Sequence, residues 1–411
     1  MALTTNVTCP FCSLLCDDLS VRSDHGQLDV SANACRLARQ GFASPLPPAE
    51  ARLKGIPATD GQAVKAAAKL LQKSNKPLIA GLGTDVDGIR AALQLAEKTG
   101  AALLHAQERY GAHNLNALQA RGGIMTTLAE VKNRADTVVL VGNNVTGDYP
   151  RFMERFINNP HSLFTSQNRK LAYLGRPGRR ELDECAGHAP VVISGHGIEI
   201  ADNLALLRAR LAQGRPSGGS STPAAKTRKL DQVAGMIRDA EYGVLVWSPA
   251  ALPQDHADLV ISSIHDLLRD LNTRQRCAGL SLGGSNGGAS FQTVATWQTG
   301  FPAGIDFRNG CPSATGADTS DADCLLWVSA FSGEPPPALD APTIILSASR
   351  SGAADADVYI PVGIPGVDHP GNLFRTDSIV NMPLKKVRDS ALPGAARVIR
   401  DIISETEGKP E

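Results

Sequence analysis

The densest chemistry in this 411-residue sequence lies in four cysteines near its start, Cys9, Cys12, Cys16 and Cys35. Their spacing, C-x2-C-x3-C-x18-C, lets three thiolates wrap one face of an iron–sulfur cubane while a fourth returns after a short hairpin. A four-thiolate zinc site or four unligated thiols are the alternatives, although zinc ligands more often come as two C-x2-C pairs. Cys185, Cys277, Cys311 and Cys324 are scattered, and each is expected to be a buried small hydrophobe.

A second cluster is basic. Arg169, Lys170, Arg176, Arg179 and Arg180 surround the apolar segment 171–174 and the turn Gly175-Arg176-Pro177-Gly178. If 171–174 is a strand, the later arginines sit just past its C-terminal end, where ligands approach open α/β sheets, and can grip carboxylates bidentately. A solvated basic loop is the plain alternative. Gly81-Leu82-Gly83 lies between a strand and a helix, but Val86 replaces the third glycine of a dinucleotide fingerprint, so a tight turn is expected. The run 283–288 suits either close backbone approach to a ligand or a flexible connection. Nine histidines show no H-E-x-x-H spacing, which argues against a histidine-ligated hydrolase.

The elements that must position these residues are legible in composition and pattern. Lys and Arg total 41, balanced by 41 Asp and Glu, so no global field gathers nucleic acid or an anionic membrane. Aromatic residues are only 4%, which leaves Ala, Leu, Val and Ile to build the core of a layered α/β fold. The first residues lack a basic and apolar leader and no stretch is long enough for a membrane span, so a cytoplasmic protein with reduced cysteines is expected. Short apolar runs at 77–80, 137–141, 243–247, 324–330, 343–346 and 358–362 read as buried strands of a parallel, doubly wound sheet. Ile89, Ala92, Leu93 and Ala96 repeat at helical spacing before Gly100, so 77–104 reads as strand, helix, strand. Residues 214–226 read as a linker, and Pro45, Pro47 and Pro48 mark a second break.

The segments Thr8–Asp18 and Asn33–Leu37 resemble the N-terminus of the formylmethanofuran dehydrogenase B-subunit family, within the molybdopterin oxidoreductases. Residues 130–136, 269–272, 296–302 and 360–366 follow the same family in order and spacing, so the resemblance spans nearly the whole chain. It implies a small Cys-containing N-terminal domain at 1–50 and two Rossmann-like doubly wound domains. One comprises 51–104 and 226–411, and the other, 105–225, is inserted in it. In the archaeal family this type of subunit holds a tungsten or molybdenum bispterin with a [4Fe-4S] cluster and reduces carbon dioxide to formate.

The sequence departs from that pattern where the metal would be held. The family's cysteine or selenocysteine ligand precedes the Glu130 segment, yet residues 105–134 contain no Cys, and Tyr110 stands near the missing thiolate. A neutral phenol is a poor substitute for a soft thiolate. Val145 replaces a usual proline, and Gly175-Arg176 ends a strand without the acidic residue expected to help read a guanine nucleotide. These departures resemble the bacterial formyltransferase/hydrolase branch, which implies a catalytically degenerate subunit with no redox step. It would scaffold a metallohydrolase beside a formyltransferase, in conversion of formyl-tetrahydromethanopterin to formate on a methanofuran-type carrier. Arg169, Lys170, Arg176, Arg179 and Arg180 are then the candidates for holding the carrier's polyglutamate tail, and the cysteine quartet carries [4Fe-4S], zinc or nothing. The alternative is a working tungsten or molybdenum subunit.

Overall fold

The computed structural model describes residues 2–46, 49–158, 162–164, 169–213, 223–314, 320–350 and 353–407. The chain forms two compact units, Met1–Arg109 with Gly284–Glu411, and Tyr110–Gly283.

The first unit is built on a nine-stranded sheet. Its central strands run parallel in the order Ala102–His105, Pro77–Gly83, Cys324–Ser329, Thr343–Ser347, Val358–Pro361. That is a doubly wound order, with the direction of winding reversing between Pro77–Gly83 and Cys324–Ser329. Short antiparallel strands close both edges. Every residue of Pro77–Gly83 and Cys324–Ser329 is buried, as parallel strands covered on both faces require. The helix Val86–Thr99 begins where Asp85 accepts a bond from Gly88 N–H at 3.0 Å and ends at Gly100, whose φ is +66°. Ile89, Ala92, Leu93 and Ala96 on its inner face are buried.

The N-terminal residues form a three-stranded antiparallel sheet, Ala2–Val7, Leu19–Asp24 and Gln27–Ala32, followed by the helix Arg36–Phe42. This element is part of the first unit. Thr376 N–H donates to Ser13 O at 2.8 Å, and Leu15 packs with Leu373 and Leu384. A buried ion pair adds to the fastening: Arg388 Nε and Nη2 donate to Asp368 at 2.7 and 3.0 Å, and Arg388 Nη1 donates to Ser44 O at 2.6 Å.

The second unit holds five parallel strands in the order Val191–Ile193, Lys170–Leu174, Thr137–Val141, Gly243–Trp247, Cys277–Ser281. This corrects the expected domain boundary. The insertion runs from 110 to 283 rather than 105 to 225, because Gly243–Trp247 and Cys277–Ser281 hydrogen-bond into the sheet started by Thr137–Val141. Ala224–Arg238 is a helix of this unit. Residues 214–222 of the expected linker lie outside the described residues, as do Pro47 and Pro48. Among the described residues no helix is long and apolar enough to cross a membrane.

Because Arg388 and Asp368 are almost fully buried, removing one partner strands a charge. Arg388→Ala should cost on the order of 3–5 kcal/mol in chemical denaturation, whereas a well-packed apolar replacement of both residues should cost much less.

Candidate functional site

Three of the four N-terminal cysteines lie in the turn between the first two strands. Cys9 N–H donates to Cys16 O at 2.8 Å and Leu15 N–H to Cys12 O at 3.2 Å, with Leu15 at φ +46°. Cys35 caps the helix Arg36–Phe42, its Sγ accepting from Ala38 N–H at 3.5 Å. Cys9, Cys12 and Cys16 are buried and Cys35 is half-buried. Burial pushes the Cys9 thiol well above its ordinary value, and the proximity of Cys12, Cys16 and Cys35 raises it further. The four sulfurs thus share one neighbourhood, and an all-thiol set is chemically matched to iron–sulfur or zinc. Among the described residues, however, no group of three or more His, Cys, Asp or Glu stands in a ligating arrangement. Of the scattered cysteines, Cys185, Cys277 and Cys324 are buried as expected, while Cys311 is exposed.

The cysteine-free segment begins at the end of strand Ala102–His105. Tyr110 lies half-buried in the first turn of the helix Glu108–Arg121. Two ionisable residues that sequence reasoning missed come just before it in the chain. His105 is wedged under Phe291, ring centroids 5.8 Å apart. Its Nε2 meets the carbonyl of Asn286 at 3.0 Å, so that nitrogen carries the proton, and its Nδ1 accepts from Gln107 N–H at 3.1 Å. A second proton would point at another donor in a dry site. Burial accordingly holds this imidazole near 4, neutral across the physiological range. Glu108 accepts from His105 N–H at 3.2 Å, yet burial pushes its carboxyl up to about 7. Nothing in the local sequence signals either shift, since both come from burial in the folded chain.

The glycine segments serve the protein's own backbone. Gly81 and Leu82, at φ +80° and +56°, form a bulge in the strand Pro77–Gly83. A Cβ on Gly81 would lie 2.7 Å from Val328 O, and one on Gly83 would meet the Asn286 amide at 2.7 Å. Gly287 in turn has Thr84 O at 2.6 Å from where a Cβ would stand. Residues 286 and 287 therefore fill the approach to the Gly81–Gly83 turn that a phosphate loop would leave open.

The basic cluster separates into two. Lys170–Leu174 is a strand as expected, and five residues span roughly 16 Å, which puts Arg169 and Lys170 at the opposite end from Arg176, Arg179 and Arg180. Arg169 is buried and donates to the carbonyls of Ala135, at 2.6 Å, Ile157 and Lys132. Its guanidinium is spent on closing the second unit, which corrects its expected role as a carrier contact. Lys170 is exposed, 4.0 Å from Asp239. At the C-terminal end, buried Glu181 fastens the loops after two strands by accepting from Thr146 N–H at 2.5 Å, Thr146 Oγ1 at 2.8 Å and Gly178 N–H at 2.7 Å. Arg176 N–H donates to Asn143 Oδ1 at 2.8 Å. This frame presents the exposed side chains of Arg176 and Arg179, while Arg180 pairs with Glu184 at 2.7 Å.

The Glu108 carboxyl gives a pH signature. Its ordinary value is 4.5 and its folded value about 7, so the folded state holds the extra proton. The stability this provides is complete below the ordinary value and is lost as pH rises through the folded one. Glu108→Gln should therefore match the parent at pH 4 but exceed it at pH 8, by on the order of 2 kcal/mol. Urea melts across that range check it.

No protein-family model matches the chain. The B subunit of the formyltransferase/hydrolase complex Fhc of Methylorubrum extorquens is 31% identical over 335 residues, 78% of this chain and 87% of that protein. The B subunit of the tungsten-containing formylmethanofuran dehydrogenase 2 of Methanococcus maripaludis is 25% identical over 413 residues, 94% of each. Among solved structures, a chain of the FhcABCD complex from Methylorubrum extorquens, crystallised with methylofuran, superposes with a TM-score of 0.73 at 28% identity, covering 87% of this chain and 98% of that one. On these likenesses of sequence and fold, the chain belongs to the formylmethanofuran dehydrogenase B-subunit family.

Proposed function

We propose that this chain is a non-redox, catalytically degenerate subunit of a formyltransferase/hydrolase complex. It scaffolds a metallohydrolase subunit and helps hold a methanofuran-type carrier during conversion of formyl-tetrahydromethanopterin to formate. The observation that carries this reading is the absence of any cysteine, and so of any thiolate donor, from residues 105–134. The helix that begins this segment opens with Glu108, Arg109 and Tyr110. A carboxyl that gains a proton near neutrality and a phenol do not match the soft thiolate a tungsten or molybdenum bispterin calls for, so these residues do not fit that group.

Carrier binding falls to Arg176 and Arg179, exposed past the C-terminal end of a parallel strand, where α/β sheets take their ligands. A polyglutamate tail would meet them through charge-assisted bonds that weaken as salt rises. The second reading, a working tungsten or molybdenum subunit, draws on the gathered cysteine quartet, since an electron-transfer cluster is most useful beside a redox metal.

The test is made on the purified assembly. It should release formate from the formylated carrier while giving no formate-dependent reduction of a viologen dye, and Arg176→Ala with Arg179→Ala should lower carrier retention on the order of tenfold at low salt. Dye reduction at a rate comparable to formate release would overturn the non-redox reading. Unchanged retention in the double variant would move the carrier site elsewhere.

A further inference from the structure

The second unit carries an open groove of about 950 Å³ that plays no part in the reading above. Its walls come from the C-terminal turns of the helices Glu199–Gln213, Ala224–Arg238 and Ala257–Leu271, together with the connections that enter the strands Gly243–Trp247 and Cys277–Ser281. It therefore opens at the N-terminal edge of the sheet, the end opposite to where open α/β sheets take small ligands.

The groove's charge is unbalanced in one direction. Arg208 is already neutralised, 2.6 Å from Asp270 and 3.5 Å from Asp266, and Asp239 has Lys170 at 4.0 Å. Among the described residues Arg238, Arg274 and Arg276 make no ion pair, and Glu241 is the one remaining carboxylate in the lining without a cation. Arg238 ends a helix and gains something from its dipole. Arg274 and Arg276 lie beyond the end of Ala257–Leu271, so that explanation does not extend to them. The apolar surface that the groove offers comes from Phe164, which is exposed, and the half-buried Leu211, with Leu267 and Leu271 buried behind them.

We infer that this groove docks an acidic, amphipathic segment of a partner polypeptide. Carboxylates alternating with apolar side chains would meet the guanidinium forks and the Phe164 and Leu211 side chains together, a match that a small polyanion cannot make. The position on the ligand-poor edge of the sheet, and three exposed arginines divided between a helix end and the connection 272–276, fit a chain laid across the surface better than a small molecule enclosed in a pocket. The inference rests on the chain working as a subunit of an assembly. If partners attach only through other faces, that reading stands while this one fails.

A labelled octapeptide alternating glutamate and leucine, titrated onto the full-length chain and followed by fluorescence anisotropy, tests it. Binding should saturate, weaken as sodium chloride is raised, and drop on the order of tenfold when Arg238, Arg274 and Arg276 are all replaced by Ala. The melting temperature should hold, because all three side chains are exposed. Arg274→Glu alone should produce a loss in the same direction, which guards against a folding defect in the triple variant. A peptide with glutamine in place of glutamate should not bind. Equal binding to parent and variants, equal binding of the glutamine peptide, or displacement by citrate at matched carboxylate concentration would each overturn the inference.

Discussion

An inserted unit obliges the chain to leave its first sheet and return to it, and the return must be held close to the departure. Here one hydrogen bond joins the two points: the His105 ring, at the end of the strand Ala102–His105, donates to the carbonyl of Asn286, just ahead of the helix Gly288–Thr299. The Nε2–H donates in either protonation state, and burial keeps the ring neutral so that Nδ1 can still accept from Gln107 N–H. The Asn286 side chain occupies the space a Cβ on Gly83 would take, and Gly287 presses against Thr84. The junction is thus a packed interior in which glycine supplies the room and backbone atoms supply the contacts. Its polar groups are imidazole, amide and a carboxyl held near neutrality, none of them a soft metal donor.

The soft donors that the chain does gather lie elsewhere. The thiols of Cys9, Cys12, Cys16 and Cys35 remain gathered in the N-terminal element, which is fastened to its unit by the Ser13 and Leu15 contacts and by the Arg388–Asp368 pair. The donor expected to sit beside a redox metal is gone from residues 105–134. Burial raises the Cys9 thiol, which disfavours a bare thiolate and makes any metal there compete with protons. The family's fold is thus present together with a segment 105–134 that holds no cysteine.

Much of this was legible in the sequence. Fully apolar runs such as Thr137–Val141 and Gly243–Trp247 became strands with the expected bounds, because a strand buried on both faces has no polar alternation to blur it. Val86–Thr99 was legible from its periodicity and its terminal glycine. The insertion boundary was not. A small, polar, breaker-rich run at 214–226 looked like a domain edge, yet strand pairing, which is set across the sheet and not along the chain, carried the second unit on to residue 283. The arginine cluster failed for a related reason, since proximity in sequence ignored the length of the strand within it, and Arg169 proved to be tied to three carbonyls. His105 and Glu108 left no mark at all, because their titration is set by burial, which the neighbouring sequence does not display.

A tungsten or molybdenum bispterin in this chain would have to be held without a cysteine thiolate from residues 105–134. The direct measurement is elemental analysis of the native assembly, purified without oxygen and without chelators, for tungsten and molybdenum per copy of this chain, with pterin measured on the same sample. Neither metal above trace level and no pterin is the expected result. One tungsten or molybdenum per copy, with bound pterin, would overturn the non-redox reading.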